Sequence, residues 1–177
     1  TKHFLPEMIE KLWAARDVAK KNNEKAFSQA IKIIMNSFYG VLGSSGCRFF
    51  DTRLASSITM RGHEIMKQTK VLIEEQGYQV IYGDTDSTFV SLNRTYSQTE
   101  ADKVGNQLVE HINTWWQEHL RSEYNLTSML EIEYETHYRK FLMPTIRGAE
   151  TGSKKRYAGL IGEGEQERII FKGLESA

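Results

Sequence analysis

This chain of 177 residues predicts an α+β fold, an antiparallel helical hairpin attached to a mixed or antiparallel β-sheet with packing helices. Three observations carry the prediction. Apolar residues recur at helical spacing in two adjacent segments separated by Asn22 and Asn23. Leu130, Ile132 and Tyr134 alternate with Glu131, Glu133 and Glu135 in a period of two. Two short apolar stretches, Val80-Ile81 and Thr88-Phe89-Val90, flank residues 82–87.

Each element has its own justification. Residues 5–21 form a helix on Leu5, Ile9, Leu12 and Trp13, with Pro6 in its first turn. Residues 24–39 form the second, on Phe27, Ala30, Ile31 and Ile34, and Gly40, Gly43 and Gly46 end it in a loop with Ser44 and Ser45. A third helix over 54–76 repeats Leu54, Ile58, Ile65 and Leu72 and stops at Gly77. A β-hairpin follows, with Gly83 in its turn. Ser97 and Glu100 have the spacing of a capping box, opening a helix lined by Val104, Leu108, Ile112 and Leu120 and extended by Trp115 and Trp116. The alternation over 130–135 predicts a half-buried strand, and further strands are expected over 139–145, 156–161 and 168–171. No internal repeat or low-complexity tract divides the chain, so residues 1–43 are expected as the helical hairpin and 44–177 as the sheet-bearing remainder.

Composition sets the outer limits. Apolar residues make up 40% and charged ones 26%, ordinary for a soluble domain, and no apolar run approaches the ~20 residues of a membrane span. Cys47 is the only cysteine, so no disulfide can form within the chain, and a reducing cytoplasm is the expected setting. The 23 basic and 23 acidic residues cancel, so a polyanion partner must be met by local clusters. Such clusters exist at Arg139, Lys140, Arg147, Lys154, Lys155 and Arg156. Helical pattern begins almost at Thr1, which points to a piece of something larger.

Three constellations carry chemistry. Asp84 and Asp86 lie at the bend of the expected hairpin, and side chains two apart in an extended chain share a side. At roughly 5 Å and an effective dielectric near 20 their repulsion is about 3 kcal/mol, which a divalent cation would offset. Mg²⁺ takes carboxylate oxygens and substrate phosphates together, so phosphoryl transfer leads, although an ordinary polar turn whose Asp caps its own backbone has the same look. On the second helix Lys32, Asn36 and Tyr39 stand at i, i+4 and i+7, and on the first Arg16 and Lys20 at i and i+4. Antiparallel pairing about Asn22 and Asn23 would bring three cations around one triphosphate; a solvated helix face is the plainer reading of Arg16 and Lys20 alone. Last, Lys154, Lys155, Arg156 and Tyr157 follow Gly152 and Ser153, cations with an aromatic neighbour suited to nucleic-acid phosphates and groove edges.

Lys32-Ile33-Ile34-Met35-Asn36-Ser37-Phe38-Tyr39-Gly40 resembles the fingers motif K-x-x-x-N-S-x-Y-G of family B DNA polymerases. Tyr82-Gly83-Asp84-Thr85-Asp86-Ser87 resembles that family's palm motif Y-x-D-T-D-S, and Lys154-Lys155-Arg156-Tyr157 its signature K-K-x-Y. The order matches too, and Arg48-Phe49-Phe50-Asp51 with residues 56–63 looks closest to bacterial members. The resemblance implies fingers over 1–43 and a C-terminal portion of the palm over 44–177. It implies two Mg²⁺ ions with Asp86 as main palm ligand and Asp84 beside it. Arg16, Lys20 and Lys32 would hold the triphosphate of a dNTP, Asn36 would assist, and Tyr39 would pack at the nascent base pair. Lys154, Lys155, Arg156 and Tyr157 would touch primer-template DNA near the primer end. Fingers of this kind swing inward, here about Gly40 and Gly43. A sliding clamp is a conceivable partner through regions absent from this chain, no membrane is involved, and a bacterial, nucleoid-associated location in the cytoplasm is implied.

The departures matter as well. The family's first palm motif, an Asp in a D-x-x-S-L-Y-P-like run, is missing, and Asp51, Asp102 and Glu131 lack its context. Nothing matches the thumb or the proofreading exonuclease. These 177 residues alone are therefore expected not to polymerise. Two rival functions remain open here: a non-catalytic nucleic-acid-binding module, in which the aspartates only shape a turn, and a palm-like metal-dependent cyclase or phosphodiesterase. The face bearing Lys32, Asn36 and Tyr39 counts against both.

Overall fold

The computed structural model describes residues 4–84, 86–144 and 156–174, with Asp84 described in its backbone only. Helices α1 (Phe4–Lys21), α2 (Lys25–Leu42) and α3 (Thr52–Glu75) precede strands β1 (Gln79–Asp84) and β2 (Ser87–Ser91). Helix α4 (Gln98–Tyr124), strands β3 (Lys140–Leu142) and β4 (Tyr157–Ile161), a single 3₁₀ turn (Gly164–Gln166) and β5 (Arg168–Lys172) complete the order. The fold is α+β, as the sequence predicts. The chain divides into two compact units, Thr1–Arg61 and Gly62–Ala177, with the boundary in the sequence of α3.

In the first unit Asn23 adopts a left-handed backbone (φ 61°) and the Glu24 N–H returns to the Ala19 carbonyl at 2.8 Å, which turns the chain from α1 into α2. Ala19, Ser28 and Ile31 are the buried residues of this hairpin. Two expectations for α2 are corrected. Its inner side is Ser28 and Ile31 with half-buried Met35, Phe38 and Leu42, whereas Phe27 and Ile34 are about half exposed and Ala30 is exposed. The helix is apolar around most of its girth, so periodicity admits more than one stripe and packing on α1 selects among them. The helix also runs through Gly40 and ends at Gly43, whose N–H bonds the Tyr39 carbonyl at 3.2 Å. One interior glycine costs about 1 kcal/mol, too little to stop a helix that Val41 and Leu42 can continue. Asp51 then opens α3: its carboxylate accepts from the Arg53 N–H at 2.9 Å and pairs with the Arg53 guanidinium at 2.7 Å. That pairing holds the Asp51 carboxyl below its usual range.

In the second unit Leu72 and Ile73 of α3 meet Ile112 and Trp116 of α4. Half-buried Val80, Val90, Leu130 and Ile132 pack around them, so the aspartate hairpin rests on a helix pair. Ser97 and Glu100 form the expected capping box, with the Ser97 N–H donating to the Glu100 carboxylate at 2.9 Å.

The expected strand over 130–135 does not form a ladder. Its alternation is real, for Leu130, Ile132 and Tyr134 are half-buried and the three glutamates exposed. Among the described residues no strand pairs with it; the Asn113 side chain does instead, donating to the Ile132 carbonyl at 3.0 Å and accepting from the Ile132 N–H at 2.9 Å. A segment lying across α4 shows the same period of two as a strand, because one side faces apolar surface and the other water. Gly105 is what lets it approach, since a Cβ there would enter the Tyr134 ring. Beyond it, β3, β4 and β5 form an antiparallel sheet with Phe141 opposite Gly159 and Gly159 opposite Ile170.

Candidate functional site

The β1–β2 ladder pairs Asp84 with Ser87, leaving a two-residue tip at 85–86. Gly83 is therefore a strand residue opposite Thr88 and not the turn, and Asp86 lies in the turn and not on the strand. Asp86 thus lies beyond the strand pleat that the sequence predicts for both aspartates. Both flanks carry apolar partners in the ladder, so register carries Asp84 to the very end of β1. A register shift between Val80 and Tyr82 sets Ile81 as an extra residue on β1, a bulge that increases local twist next to the tip. Asp86 is exposed, and no side chain among the described residues bonds its carboxylate. Among the described residues no group of three carboxylate, imidazole or thiol side chains converges. The exposed Asp86 carboxylate fits a hard cation that takes oxygen donors and keeps part of its shell for water or phosphate. The Asp84 side chain and Thr85 lie outside the described residues.

The K-K-x-Y region divides likewise: Lys154 and Lys155 lie outside the described residues, Arg156 is exposed, and Tyr157 begins β4. Tyr157 packs against the aspartate hairpin. Its ring centroid is 5.2 Å from that of Phe89 on β2, edge to face, and 5.3 Å from that of Phe141 on β3. Phe89 also lies 5.1 Å from Phe141, 5.5 Å from Tyr82 and 6.2 Å from Tyr138. Burial, joined by a hydrogen bond to Tyr157, pushes the Tyr138 hydroxyl up to about 12. Gly159 admits the Tyr138 ring against β4; a Cβ there would overlap it. Sequence reasoning singled out Tyr157 and missed Phe89, Tyr138 and Phe141. Their one available signal is aromatic enrichment in strand-like segments, which does not say which rings meet.

In the first unit Lys32, Asn36 and Tyr39 are all exposed on α2, at the spacing of one helix face. The Tyr39 hydroxyl lies 2.7 Å from the Thr59 hydroxyl, and Thr59 donates to the Ala55 carbonyl at 3.0 Å. A hydroxyl has one proton, so Tyr39 is the donor of that pair and is tethered to α3. On α1 Lys20 is exposed and Arg16 half-buried. The Arg16 Nε is buried without a hydrogen-bond partner among the described residues. Lys20 also lines a cavity of about 280 Å³ at the turn of the hairpin, with Lys25, Ser28 and Gln29.

Residues near the second unit's polar edge have structural partners. The Asp102 carboxylate accepts from Gln98 at 2.7 Å and from the Tyr134 hydroxyl at 3.0 Å. Burial lowers the His137 pKa from its ordinary value.

The family model described as DNA polymerase family B matches residues 1–177. The chain is 66% identical over 175 residues to DNA polymerase II of Escherichia coli (strain K12), covering 99% of this chain and 22% of that protein. It is 29% identical over 184 residues to a DNA polymerase of Thermococcus gorgonarius, covering 97% of this chain and 21% of that one. The solved family B DNA polymerase of the archaeon Pyrobaculum calidifontis superposes with a TM-score of 0.61 at 24% identity, over 98% of this chain and 20% of that one, a likeness of fold. The chain thus spans about a fifth of the length of these relatives.

Proposed function

This chain belongs to DNA polymerase family B, and from that premise we propose that it is part of a DNA-directed DNA polymerase, contributing fingers residues and a portion of the palm. The reaction joins the primer 3′-oxygen to the α-phosphorus of a dNTP and expels pyrophosphate. Two Mg²⁺ ions, when bound, supply polarisation of the attacking hydroxyl and neutralise charge on the phosphates. Asp86 and Asp84 hold them. Arg16, Lys20 and Lys32 bind the triphosphate, Asn36 assists, and Tyr39 packs at the nascent pair. Lys154, Lys155, Arg156 and Tyr157 bind the primer-template. The setting is the bacterial cytoplasm at the nucleoid, and a clamp would be reached through segments outside these 177 residues.

One observation carries the reading: Asp86 stands exposed at a two-residue tip, on a hairpin whose Phe89 packs against Tyr157 of the K-K-x-Y stretch.

The test uses a full-length polymerase carrying this stretch. Asp86→Asn is expected to lower templated extension by about a thousandfold, because several kcal/mol of transition-state stabilisation depend on the cations it holds. Affinity for primer-template should change by less than about twofold, since no DNA contact is removed. Extension at an undiminished rate would remove the metal role. The 177-residue chain alone, lacking the first palm motif, is expected to give no templated growth, and growth with Mg²⁺ and four dNTPs would overturn that.

A further inference from the structure

The aspartate hairpin and the sheet that begins with Tyr157 are two separate sheets, β1–β2 and β3–β4–β5, with no ladder between them among the described residues. Backbone hydrogen bonds therefore do not set the distance from the Asp86 tip to β4. Rings do. Phe89 is three residues from Asp86 and two from Ser87, which closes the tip against Asp84. From β2 its ring meets Tyr82 on its own sheet and Phe141 and Tyr157 on the other, at centroid separations of 5.1–5.5 Å in tilted or edge-to-face arrangements. Those separations lie within the range where aromatic pairs attract and orient one another.

Tyr157 sits in a socket. Phe89 and Phe141 flank its ring, and the Tyr138 ring, admitted by Gly159, lies edge to face with a centroid separation of 6.1 Å. The Gln98 N–H to the Glu163 carboxylate at 3.3 Å ties this sheet to α4 as well. Phe89 is thus a side chain through which the acidic tip and the start of β4 share one frame.

We propose that Phe89 is a positioning residue: it fixes Tyr157 relative to the Asp86 tip, so that the primer end is presented to the metal-bearing loop at a set separation. The proposal rests on the polymerase reading and deepens it. Phe89 touches neither substrate nor metal in this scheme and acts through Tyr157. A small misplacement of a reacting group is costly, so loss of the ring should fall on kcat and not on nucleotide binding, which other residues perform.

The experiment is a double-mutant cycle in a full-length polymerase carrying this stretch, with primer extension, DNA affinity and thermal midpoint measured for each variant. Phe89→Leu is expected to lower kcat about tenfold or more while KM for dNTP and Kd for DNA stay within about twofold. Phe89→Tyr, which keeps the ring, should retain kcat within about twofold. In a Tyr157→Ala background Phe89→Leu should cost less than about twofold, because the residue it positions is already gone. Equal cost in both backgrounds, or Phe89→Tyr as impaired as Phe89→Leu, overturns the proposal. Should Phe89→Leu not fold, Phe89→Met keeps the apolar bulk and removes the ring. It should lower kcat about threefold when Tyr157 is present and not when Tyr157→Ala is, and additivity there overturns the proposal equally. If Asp86→Asn retains extension, the polymerase reading fails first; if Asp86→Asn is dead and the cycle is additive, only the positioning role fails.

Discussion

Two hairpins in this chain, one of helices and one of strands, present side chains by different means. The α1–α2 hairpin buries Ala19, Ser28 and Ile31 and leaves Phe27, Ile33, Ile34 and Val41 exposed. Lys32, Asn36 and Tyr39 align because one helix places i, i+4 and i+7 together, whatever α1 does. The β1–β2 hairpin is held from outside: Val80 and Val90 lie on the Leu72, Ile73, Ile112 and Trp116 core, and Phe89 lies against rings from β3 and β4. Its Asp86 is placed by the loop, and its relation to Tyr157 by packing across more than 60 residues of chain. Local geometry serves where one element carries every group. Long-range packing is needed where the groups come from several.

The contrast can be broken by substitution. Leu72→Ala, in the most fully buried side chain of the second unit, should destabilise the chain by about 3 kcal/mol. Ile31→Ala, in the sparser helical hairpin, should cost roughly half as much because neighbours there can collapse on the gap. Urea unfolding compares the two, and equal losses would erase the distinction. Gly159→Ala should cost about 2 kcal/mol, since the new Cβ meets the Tyr138 ring, and it should also disturb the near-ultraviolet signal of the aromatic cluster. An unchanged spectrum would show that the rings are not close-packed on β4.

Alkaline pH gives a finer comparison within the second unit. Burial, with the hydrogen bond to Asp102 adding to it, pushes the Tyr134 hydroxyl up to about 12. An unfolded chain loses this proton near pH ~10, so between about 10 and about 12 the fold keeps a proton that the unfolded state releases. Stability should therefore fall as pH rises through that window. Tyr138, also raised to about 12, contributes over the same interval, so Tyr134→Phe should remove about half of the decline and not all of it. Urea midpoints at about pH 9 and about pH 11 test this, and an identical decline in the variant would contradict it. The smallest effect belongs to the first unit. Ile34→Lys, at an exposed position of α2, should change stability by no more than about 0.5 kcal/mol, and a larger loss would mean that this stripe is covered.

How much was legible in advance depended on how far apart the relevant residues lie. The break at Asn22 and Asn23, the capping box of Ser97 and Glu100, and the hairpin around Asp84 and Asp86 are local signals that the structure forms, whereas the expected stop at Gly40 is overrun because Val41 and Leu42 continue the helix. The burial pattern of 130–135 was legible and its partner was not, because an Asn113 amide satisfies Ile132 as a neighbouring strand would. The buried stripe of α2 was misjudged for the complementary reason: a helix apolar on several sides does not disclose which side another helix will cover.

The sequence by itself determined the element order, the acidic tip, the cation-bearing helices and, through its motifs, the family. Periodicity, capping and turn chemistry act over a few residues, so a linear string displays them. Tertiary structure alone decided that Asn113 meets Ile132 where a strand was expected, that Arg16 keeps a buried nitrogen unpaired among the described residues, and that Phe89 joins Tyr157 to the hairpin. Those outcomes depend on which surfaces exclude water from one another, and excluded area is a property of the packed chain and not of any stretch of it.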